Sequence, residues 1–330
     1  MCLNPQSVVI FKNPKTGKQK VLFNKPKSDF FKIDDEIYLF NRYETIPCGK
    51  CCECLEQNSK QWAVRLMCEQ KYSKFSYFLT LTYDDLHLPK DGCLKKDDIQ
   101  HFIKLLRDRM LKNYGIDNIR YYLVGEYGSK SRRPHYHIIL FNCPLTYEDF
   151  KILGIKPKNK FGQLLVGKSA GGDLLWSSEF LSDIWNYGFN QVGSVNFQSC
   201  AYVARYCNKK RVLSKEEKEI LYKKLHLVSE FSLMSKKPGI GLQYFDDNKD
   251  SIIKNNFVIY ENGHIYSAPR YFRSKLDSDN KFESSVLENF KKNSKFLSSL
   301  MDYNHLINYN GNYRDYKIKL DLLSKKKRSL

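Results

Sequence analysis

The chain has 330 residues, which is enough to bury a core in one large domain or in two smaller ones. Its 55 Lys and Arg outnumber 36 Asp and Glu, and the resulting net charge of +19 favours polyanionic partners such as nucleic acid. No apolar run approaches about 18 residues, and the first residues lack the features of a signal peptide, so we expect neither a membrane span nor export.

Hydrophobic periodicity predicts an α+β fold in which helices flank an antiparallel sheet. The predicted elements are a hairpin at 8–23, a helix at 55–74, a strand at 75–85, a helix at 95–115, two strands in 119–141, a helix at 174–188, a strand at 189–197, helices at 199–211 and 214–226, and a hairpin turning at Asn262-Gly263. Asp97 or Asp98 is expected to cap the helix at 95–115. We divide the chain into an N-terminal hairpin and Cys-rich loop (1–59), a central α+β domain (60–212) and an accessory region with a basic tail (213–330).

The loop PCGKCCEC places Cys48, Cys51 and Cys54 in a Cys-x2-Cys-x2-Cys pattern. In a reducing cytoplasm, clustered thiols indicate metal binding more than disulfides. Zinc takes four ligands, and Cys68 or a distant histidine such as His87 is a candidate for the fourth. Reduced structural cysteines are the alternative interpretation.

The segment RPHYHIILF places His135 and His137 two residues apart, directly before four apolar residues. Alternate side chains of a β-strand leave the same face, so both imidazoles point one way, about 7 Å apart. They either line a polar pocket or hold a metal. If the two strands of 119–141 pair, the carboxylate of Glu126 reaches the same face. Two imidazoles and a carboxylate suit Mn²⁺, Mg²⁺ or Fe²⁺, and also Zn²⁺.

The segment YVARYCNKK carries Tyr202 and Tyr206 four residues apart, so that they share one face of the predicted helix, with Lys209 near Tyr206. Cations and a metal near a tyrosine favour its phenolate, which can attack a phosphate. Core packing of both rings is the alternative. On the strand FLTLTY, Thr80 and Thr82 would face one side, either in a site or in plain sheet packing.

Basic residues flank both motifs, and cations at such positions contact DNA phosphates. The candidates are Lys130, Arg132 and Arg133 before the histidine strand, and Arg205 and Lys210 on or after the tyrosine helix. Lys237, Arg270 and Arg273, in KKPGIG and APRYF, are a further hypothesis. The 23 Tyr and 21 Phe include enough rings for bases of single-stranded DNA to stack on, although many belong to the core.

Taken in order, FLTLTY, GEYG with RPHYH, and YVARYCNKK resemble the three motifs of the HUH endonucleases (His-hydrophobe-His), which initiate rolling-circle replication. With PCGKC, LTYDDLHLP, KPGIG and APRYF, the chain from about residue 45 to 275 is similar to the replication initiators of gokushovirus-type (Microviridae) single-stranded DNA phages. The resemblance implies an HUH fold acting on the phage replication origin in the host bacterial cytoplasm, together with a host helicase and DNA polymerase.

The resemblance also implies the chemistry. His135, His137 and Glu126 would bind Mg²⁺ or Mn²⁺, and a helix tyrosine would cut one strand, giving a 5′-phosphotyrosine and a free 3′-OH. Tyr206 followed by Lys209 fits the single-tyrosine form of the motif and is the first choice, with Tyr202 second. The pair also fits the two-tyrosine form.

Other protein classes could use some of the same residues. A non-catalytic single-stranded DNA-binding protein would account for the charge and the aromatic residues. An Fe(II) oxygenase would use two His and one Glu but leaves the charge and the tyrosine helix without a role. A transposase with the same HUH chemistry lacks the cysteine loop and the PGIG segment.

Overall fold

The computed structural model describes residues 2–23, 29–128, 131–169, 172–206, 215–255, 257–259 and 265–278. Several predicted features lie outside these residues: Lys130, Lys209, Lys210, the Asn262-Gly263 turn and the basic C-terminal tail. Tyr206 is described as part of a helix, and its side chain lies outside the description. No helix in the described ranges has the length and apolar character needed to cross a membrane.

A seven-stranded antiparallel sheet lies at the centre, and its strand order is β11-β6-β7-β5-β10-β9-β8. The strands are β5 (Ser76–Tyr83), β6 (Arg120–Tyr127), β7 (Pro134–Phe141), β8 (Gln163–Lys168), β9 (Leu174–Ser178), β10 (Gly188–Ser194) and β11 (Phe231–Met234). Strands β5 and β7 are rich in aromatic and β-branched residues, which suit a pleated, buried surface. The predicted α+β class with an antiparallel sheet is confirmed.

Helices cover the two faces of this sheet differently. Leu79 and Leu81 of β5 face helix α2 (Lys96–Tyr114) and pack with Phe102. The alternate residue Phe78 faces helices α1 (Cys52–Gln70) and α5 (Phe197–Tyr206), which pack on each other. Buried residues of α1, α5 and the sheet form the core on this side: Ala63, Leu66, Met67, Tyr122, Val124, Ile139, Cys200 and Val203. The threonines of β5 therefore share the α1–α5 face.

Helix α2 confirms the predicted helix at 95–115 but not its predicted cap. Lys95 precedes the helix and makes no side-chain cap bond, so Asp97 and Asp98 lie within the first turn. Acidic residues there are favourable near the positive end of the helix dipole. The carboxylate of Asp98 accepts a hydrogen bond from the Tyr83 hydroxyl at 2.8 Å. Gly115 ends the helix in the left-handed conformation.

The predicted helix at 174–188 is wrong. Residues Leu174–Ser178 form strand β9, and only Glu179–Ser182 (α4) is helical. Trp176 pairs with Val192 of β10, and the Ser178 hydroxyl caps α4 by accepting from the N–H of Leu181. A short apolar run such as LLW fits either a strand or a buried helix, and here pairing with β8 and β10 decides for the strand.

A separate four-stranded sheet precedes α1, in the order β2-β1-β4-β3. Its strands are β1 (Gln6–Lys12), β2 (Gln19–Leu22), β3 (Phe30–Ile33) and β4 (Glu36–Ile46). Strands β1 and β2 confirm the predicted hairpin at 8–23, whereas the hairpin of β3 and β4 was not predicted. The buried apolar core of this sheet contains Val9, Phe11 and Tyr38.

The remaining elements complete the layers. They are α3 (Tyr147–Ile152), α6 (Lys215–Lys218) with a following π-helical turn (Glu219–Lys224), α7 (Leu242–Asp247), α8 (Lys249–Asn255), α9 (Arg270–Ser278), and the paired strands β12 (Phe257–Ile259) and β13 (Ile265–Ser267). Helix α6 and the π-helical turn occupy part of the helix predicted at 214–226. Helices α7, α8 and α9 pack their apolar side chains against α1 through Val64 and Cys68.

The KPGIG and APRYF segments join at helix α1. The buried guanidinium of Arg65 donates to the carbonyl of Ile240 at 3.0 and 3.1 Å and lies between the rings of Trp62 and Tyr271. One turn further along α1, the carboxylate of Glu69 accepts the N–H of Gly241 at 2.7 Å and pairs with Arg120. These two sequence motifs thus hold the C-terminal region on α1.

The close approach of Gly241 to α1 gives a stability prediction. Gly241 has a φ of +75°, and a Cβ there would lie 2.9 Å from the Arg65 carbonyl oxygen. Gly154 has a similar φ of +68° with open space around it. Left-handed strain costs an alanine about 1–3 kcal/mol at either position, so Gly241→Ala is expected to lower the melting temperature more than Gly154→Ala does. Equal shifts in thermal denaturation would mean that the contact with α1 adds no constraint.

Candidate functional site

Strand register builds the centre of the site. Glu126 of β6 lies opposite His135 of β7, His135 opposite Thr82 of β5, and Thr82 opposite Phe189 of β10. Directly paired residues present their side chains on the same face of a sheet. The four side chains therefore form one row across the α1–α5 face, and His137 begins the next row.

The acid–histidine cluster consists of Glu126, His135 and His137. One carboxylate oxygen of Glu126, Oε1, lies 2.8 Å from His135 Nε2 and 3.1 Å from His137 Nε2. The ring centroids of the two histidines are 4.9 Å apart, closer than the 7 Å expected, because both rings lean towards the same carboxylate. Glu126 and His137 are buried, and their ligand atoms and that of His135 all lie within 4.8 Å of one another.

The carboxylate of Glu126 is held in its charged form. Burial alone would raise the pKa of Glu126, but the hydrogen bonds and positive charge of His135 and His137 lower the pKa to about 2. An ionised carboxylate converging with two imidazoles is a three-ligand set with open positions. The cluster therefore fits a divalent cation by its donor chemistry.

Neighbouring groups orient the two imidazoles. Thr80 Oγ1 lies 3.0 Å from His137 Nδ1, and the carbonyl oxygen of Arg133 lies 3.1 Å from His135 Nδ1. The ring of Phe78 stacks on His137 with a centroid distance of 5.6 Å. These contacts engage the Nδ1 atoms and leave both Nε2 atoms directed at Glu126, as metal-binding histidines require. The sequence placed Thr80 on this face, and its bond to His137 follows from the direct pairing of the two residues.

Helix α5 brings Tyr202 against the cluster. The Tyr202 ring centroid lies 5.3 Å from that of His137 and 6.3 Å from that of Phe78, in edge-to-face contacts, and the side chain is 40% exposed. Tyr206 ends the same helix, four residues on. The exposed Arg205 lies beside it in the last turn.

A cavity of about 470 Å³ opens beside the cluster and is lined by His135, Thr82 and Phe189. Phe189 is 66% exposed, which is unusual for a phenylalanine on a central strand. Arg133 also lines the cavity, but its guanidinium donates to Asp85 at 2.6 Å and to the Tyr83 carbonyl at 2.9 Å. The predicted phosphate contact at Arg133 would therefore compete with Asp85, whereas Arg132 is exposed in the preceding turn.

His87 belongs to neither candidate metal group in the described part of the chain. Its Nδ1 lies 2.8 and 3.0 Å from the carboxylate oxygens of Asp84, whose pKa is lowered chiefly by the hydrogen bond from the His87 N–H. Asp84 in turn lines the cavity beside His135. The sequence offered His87 as a zinc ligand or as a neighbour of the active site, and the structure places it beside Asp84, away from the cysteines.

The thiol cluster consists of Cys2, Cys48, Cys51 and Cys54, whose sulfurs lie within 4.8 Å of one another. Burial alone would raise the pKa of the Cys48 thiol, but the backbone N–H groups of Lys50 and Cys51 lower the pKa to about 7.

The placement of Cys68 with this cluster is corrected. Cys54 and Cys68 both lie on α1, where fourteen residues span about 21 Å, too far for one ion. Cys68 is buried instead in the apolar core beside Tyr244 and Phe245. Cys2 takes its place, and no spacing rule joins it to a loop 46 residues away.

Comparison with known proteins identifies the family. A family model described as replication-associated protein of the ORF2 type matches residues 76–211. The chain is 33% identical over 288 residues to replication-associated protein ORF2 of Spiroplasma virus 4, covering 84% of this chain and 81% of the relative. The chain belongs to the replication-associated proteins of Microviridae-type phages.

Two other relatives agree. This replication-associated protein is 30% identical over 317 residues to replication-associated protein VP4 of Bdellovibrio phage phiMH2K, covering 91% of each chain. It is 32% identical over 273 residues to replication-associated protein ORF4 of Chlamydia phage 1, covering 80% of this chain and 62% of the relative. No solved structure matches it. The family-matched segment contains the acid–histidine cluster and Tyr202, whereas the thiol cluster lies before it.

The bond between Thr80 and His137 gives a prediction about metal affinity. Thr80→Val keeps the shape of the side chain but removes the hydroxyl that orients the imidazole, and loss of such a partner typically weakens metal binding about 10–100-fold. Calorimetric titration with Mn²⁺ measures this change. Thr82→Val, on the same strand and face, is the matched control and is expected to bind Mn²⁺ like the unaltered protein. Unchanged affinity in Thr80→Val would rule out the orienting role.

Proposed function

We propose that this replication-associated protein is a metal-dependent endonuclease of the HUH type, which nicks and rejoins single-stranded DNA at the phage replication origin through a tyrosine. The observation that carries the proposal is the contact between Tyr202 and His137, which joins a nucleophilic side chain to a metal-binding set. Neither group alone would indicate a nuclease. A tyrosine beside a two-histidine, one-carboxylate cluster is the arrangement that phosphodiester transesterification requires.

The metal in this proposal is Mg²⁺ or Mn²⁺, held by Glu126, His135 and His137. A bound divalent ion would supply Lewis-acid polarisation of the scissile phosphate. Glu126 contributes a full negative charge to the cluster, since its pKa is about 2. Thr80 and the Arg133 carbonyl hold the two rings in place.

The chain's own residues carry out the strand transfer. A tyrosine Oη attacks the phosphorus, the bond between phosphorus and the 3′ oxygen breaks, and the tyrosine becomes esterified to the 5′ end. The phenol loses its proton to solvent, and the leaving 3′ oxygen takes one up. The free 3′-OH can prime DNA synthesis, and attack by a 3′-OH on the ester rejoins the strand without an external energy source.

The choice between the two tyrosines changes with the geometry. The sequence pattern favours Tyr206, because Lys209 follows it, and that preference stays a prediction. Tyr202 has the support of a described contact with His137, at 5.3 Å between ring centroids. We therefore propose Tyr202 as the first nucleophile, with Tyr206 as its partner one turn away and Lys209 as a cation that steadies the phosphate.

The proposed substrate is single-stranded DNA, supported by the net charge of +19 and by the open side of the site. Phe189 offers an exposed ring for a base to stack on, in the same row as His135. The exposed Arg132 and Arg205 flank the cluster and are proposed phosphate contacts, as are Lys130, Arg133 and Lys210. The proposed setting is the host bacterial cytoplasm, where a host helicase and polymerase would extend the 3′ end.

The first test is covalent capture with end-labelled single-stranded fragments of the phage genome, in Mn²⁺ or EDTA. We expect an adduct on denaturing gels that requires Mn²⁺. Tyr202→Phe should remove most of it, because phenylalanine keeps the ring packed on His137 but lacks the attacking oxygen. Tyr206→Phe and the double substitution assign any remaining adduct, and Tyr43→Phe, at an exposed tyrosine of the N-terminal sheet, is the control.

The outcomes separate the alternatives. An adduct that persists in the double variant would exclude both tyrosines as nucleophiles. Loss in Tyr206→Phe alone would restore the choice that the sequence favoured. Tight, salt-sensitive DNA binding without an adduct for any fragment or metal would establish the non-catalytic DNA-binding protein instead.

The second test concerns Phe189. Stacking of a base on an aromatic side chain contributes about 1–3 kcal/mol, so Phe189→Ala is expected to weaken single-stranded DNA binding by about tenfold or more. Fluorescence anisotropy at constant ionic strength measures the affinity. Phe23→Ala removes an equally exposed ring from the N-terminal sheet and should leave the affinity unchanged. Equal affinities for the two variants would show that no base stacks on Phe189.

A further inference from the structure

We propose that Cys2, Cys48, Cys51 and Cys54 bind one structural Zn²⁺ ion, which fastens the N-terminal segment and its sheet to the start of helix α1. This site is separate from the acid–histidine cluster and does not depend on the proposed nuclease activity. Its ligands would come from three parts of the chain: the first residues, the loop between β4 and α1, and the first turn of α1.

The spacing of the sulfurs matches a tetrahedral ion. Zinc–sulfur bonds of about 2.3 Å in tetrahedral geometry place the sulfurs about 3.8 Å apart. The Cys2 and Cys51 sulfurs are 3.8 Å apart, and those of Cys48 and Cys54 are 4.0 Å apart. A disulfide would bring two sulfurs to about 2.05 Å, and all four cysteines are free thiols. The four sulfurs therefore surround a space of the size that one zinc ion fills.

The backbone around the sulfurs is arranged for thiolates. Gly49, with a φ of +71°, makes the turn that directs the N–H groups of Lys50 and Cys51 at Cys48 Sγ, at 3.4 and 3.3 Å. The N–H of Cys48 points at Cys2 Sγ at 3.2 Å, and that of Leu3 points at Cys51 Sγ at 3.5 Å. Such donors offset the negative charge that four thiolates place around one divalent ion.

The donor set identifies the class of metal. Soft thiolates select Zn²⁺ over the hard ions Mg²⁺ and Mn²⁺, and a closed four-cysteine set is typical of structural zinc. The mixed nitrogen and oxygen donors of Glu126, His135 and His137 favour the opposite choice. The two sites are thus expected to hold different metals in the same protein.

The location of the thiol cluster suggests what the ion does. The N-terminal sheet has a small buried core around Val9, Phe11 and Tyr38, and small cores are commonly reinforced by a metal or a cross-link. Cys2 lies just before β1, and Cys48 just after β4, so an ion shared with Cys54 would tie the ends of the central strands to α1. Helix α1 packs on α5, the helix that carries Tyr202.

Elemental analysis of the purified full-length protein tests the proposal. We expect one zinc per chain after dialysis against zinc-free buffer containing Mg²⁺. Cys2→Ser and Cys51→Ser should each lose the zinc, whereas Cys52→Ser, in the same loop but outside the cluster, should retain it. Because His135→Ala alters only the other site, it should also retain the zinc, and this result would stand even if no nuclease activity were found.

Two further measurements guard against variants that do not fold. Cys2→His replaces one zinc ligand by another and should restore part of the zinc content lost in Cys2→Ser. In the unaltered protein, treatment with a strong zinc chelator should make Cys2, Cys48, Cys51 and Cys54 newly reactive to iodoacetamide, as mapped by mass spectrometry. Iron in place of zinc, no bound metal in the unaltered protein, or full zinc retention in Cys2→Ser would each overturn the proposal.

Discussion

The register of four antiparallel strands is the constraint on which the site depends. Strands β6, β7, β5 and β10 pair so that Glu126, His135, Thr82 and Phe189 lie in one row. Side chains alternate between the two faces, so a slip of one residue between β6 and β7 would send Glu126 towards α2 and leave the imidazoles without their carboxylate. The apolar residues between these positions, buried against α2, hold the register in place.

Helix α1 connects this sheet to the rest of the molecule. Its buried Arg65 and Glu69 bind the KPGIG segment and Arg120 of β6, so the C-terminal region and the sheet share one network of charges. A buried charge is tolerated when it is paired and hydrogen-bonded, and loss of one partner is strongly destabilising. The same helix supports α5 and hence Tyr202, so side chains remote from the metal-binding residues contribute to the position of the tyrosine.

Long segments with clear periodicity were predictable, and short apolar runs were not. The strand at 75–85, the two strands in 119–141 and the helix at 95–115 follow from local pattern, because each pattern extends over the length of the element. Strand β9 was mistaken for a helix, since Leu174–Ser178 carries too few residues to separate the two periods. Asp98 was expected to cap α2 and instead accepts a bond from Tyr83, a partner that only the folded sheet supplies.

The sequence by itself determined the pieces of chemistry that lie close together in the chain. The alternation of a β-strand puts His135 and His137 on one face, and the short connection to the preceding strand brings Glu126 beside them. Only the tertiary structure decided that Tyr202 lies against His137 and that Cys2, in place of Cys68, joins the thiol cluster. Local periodicity relates residues within one element or one hairpin, whereas these contacts depend on how separate elements pack.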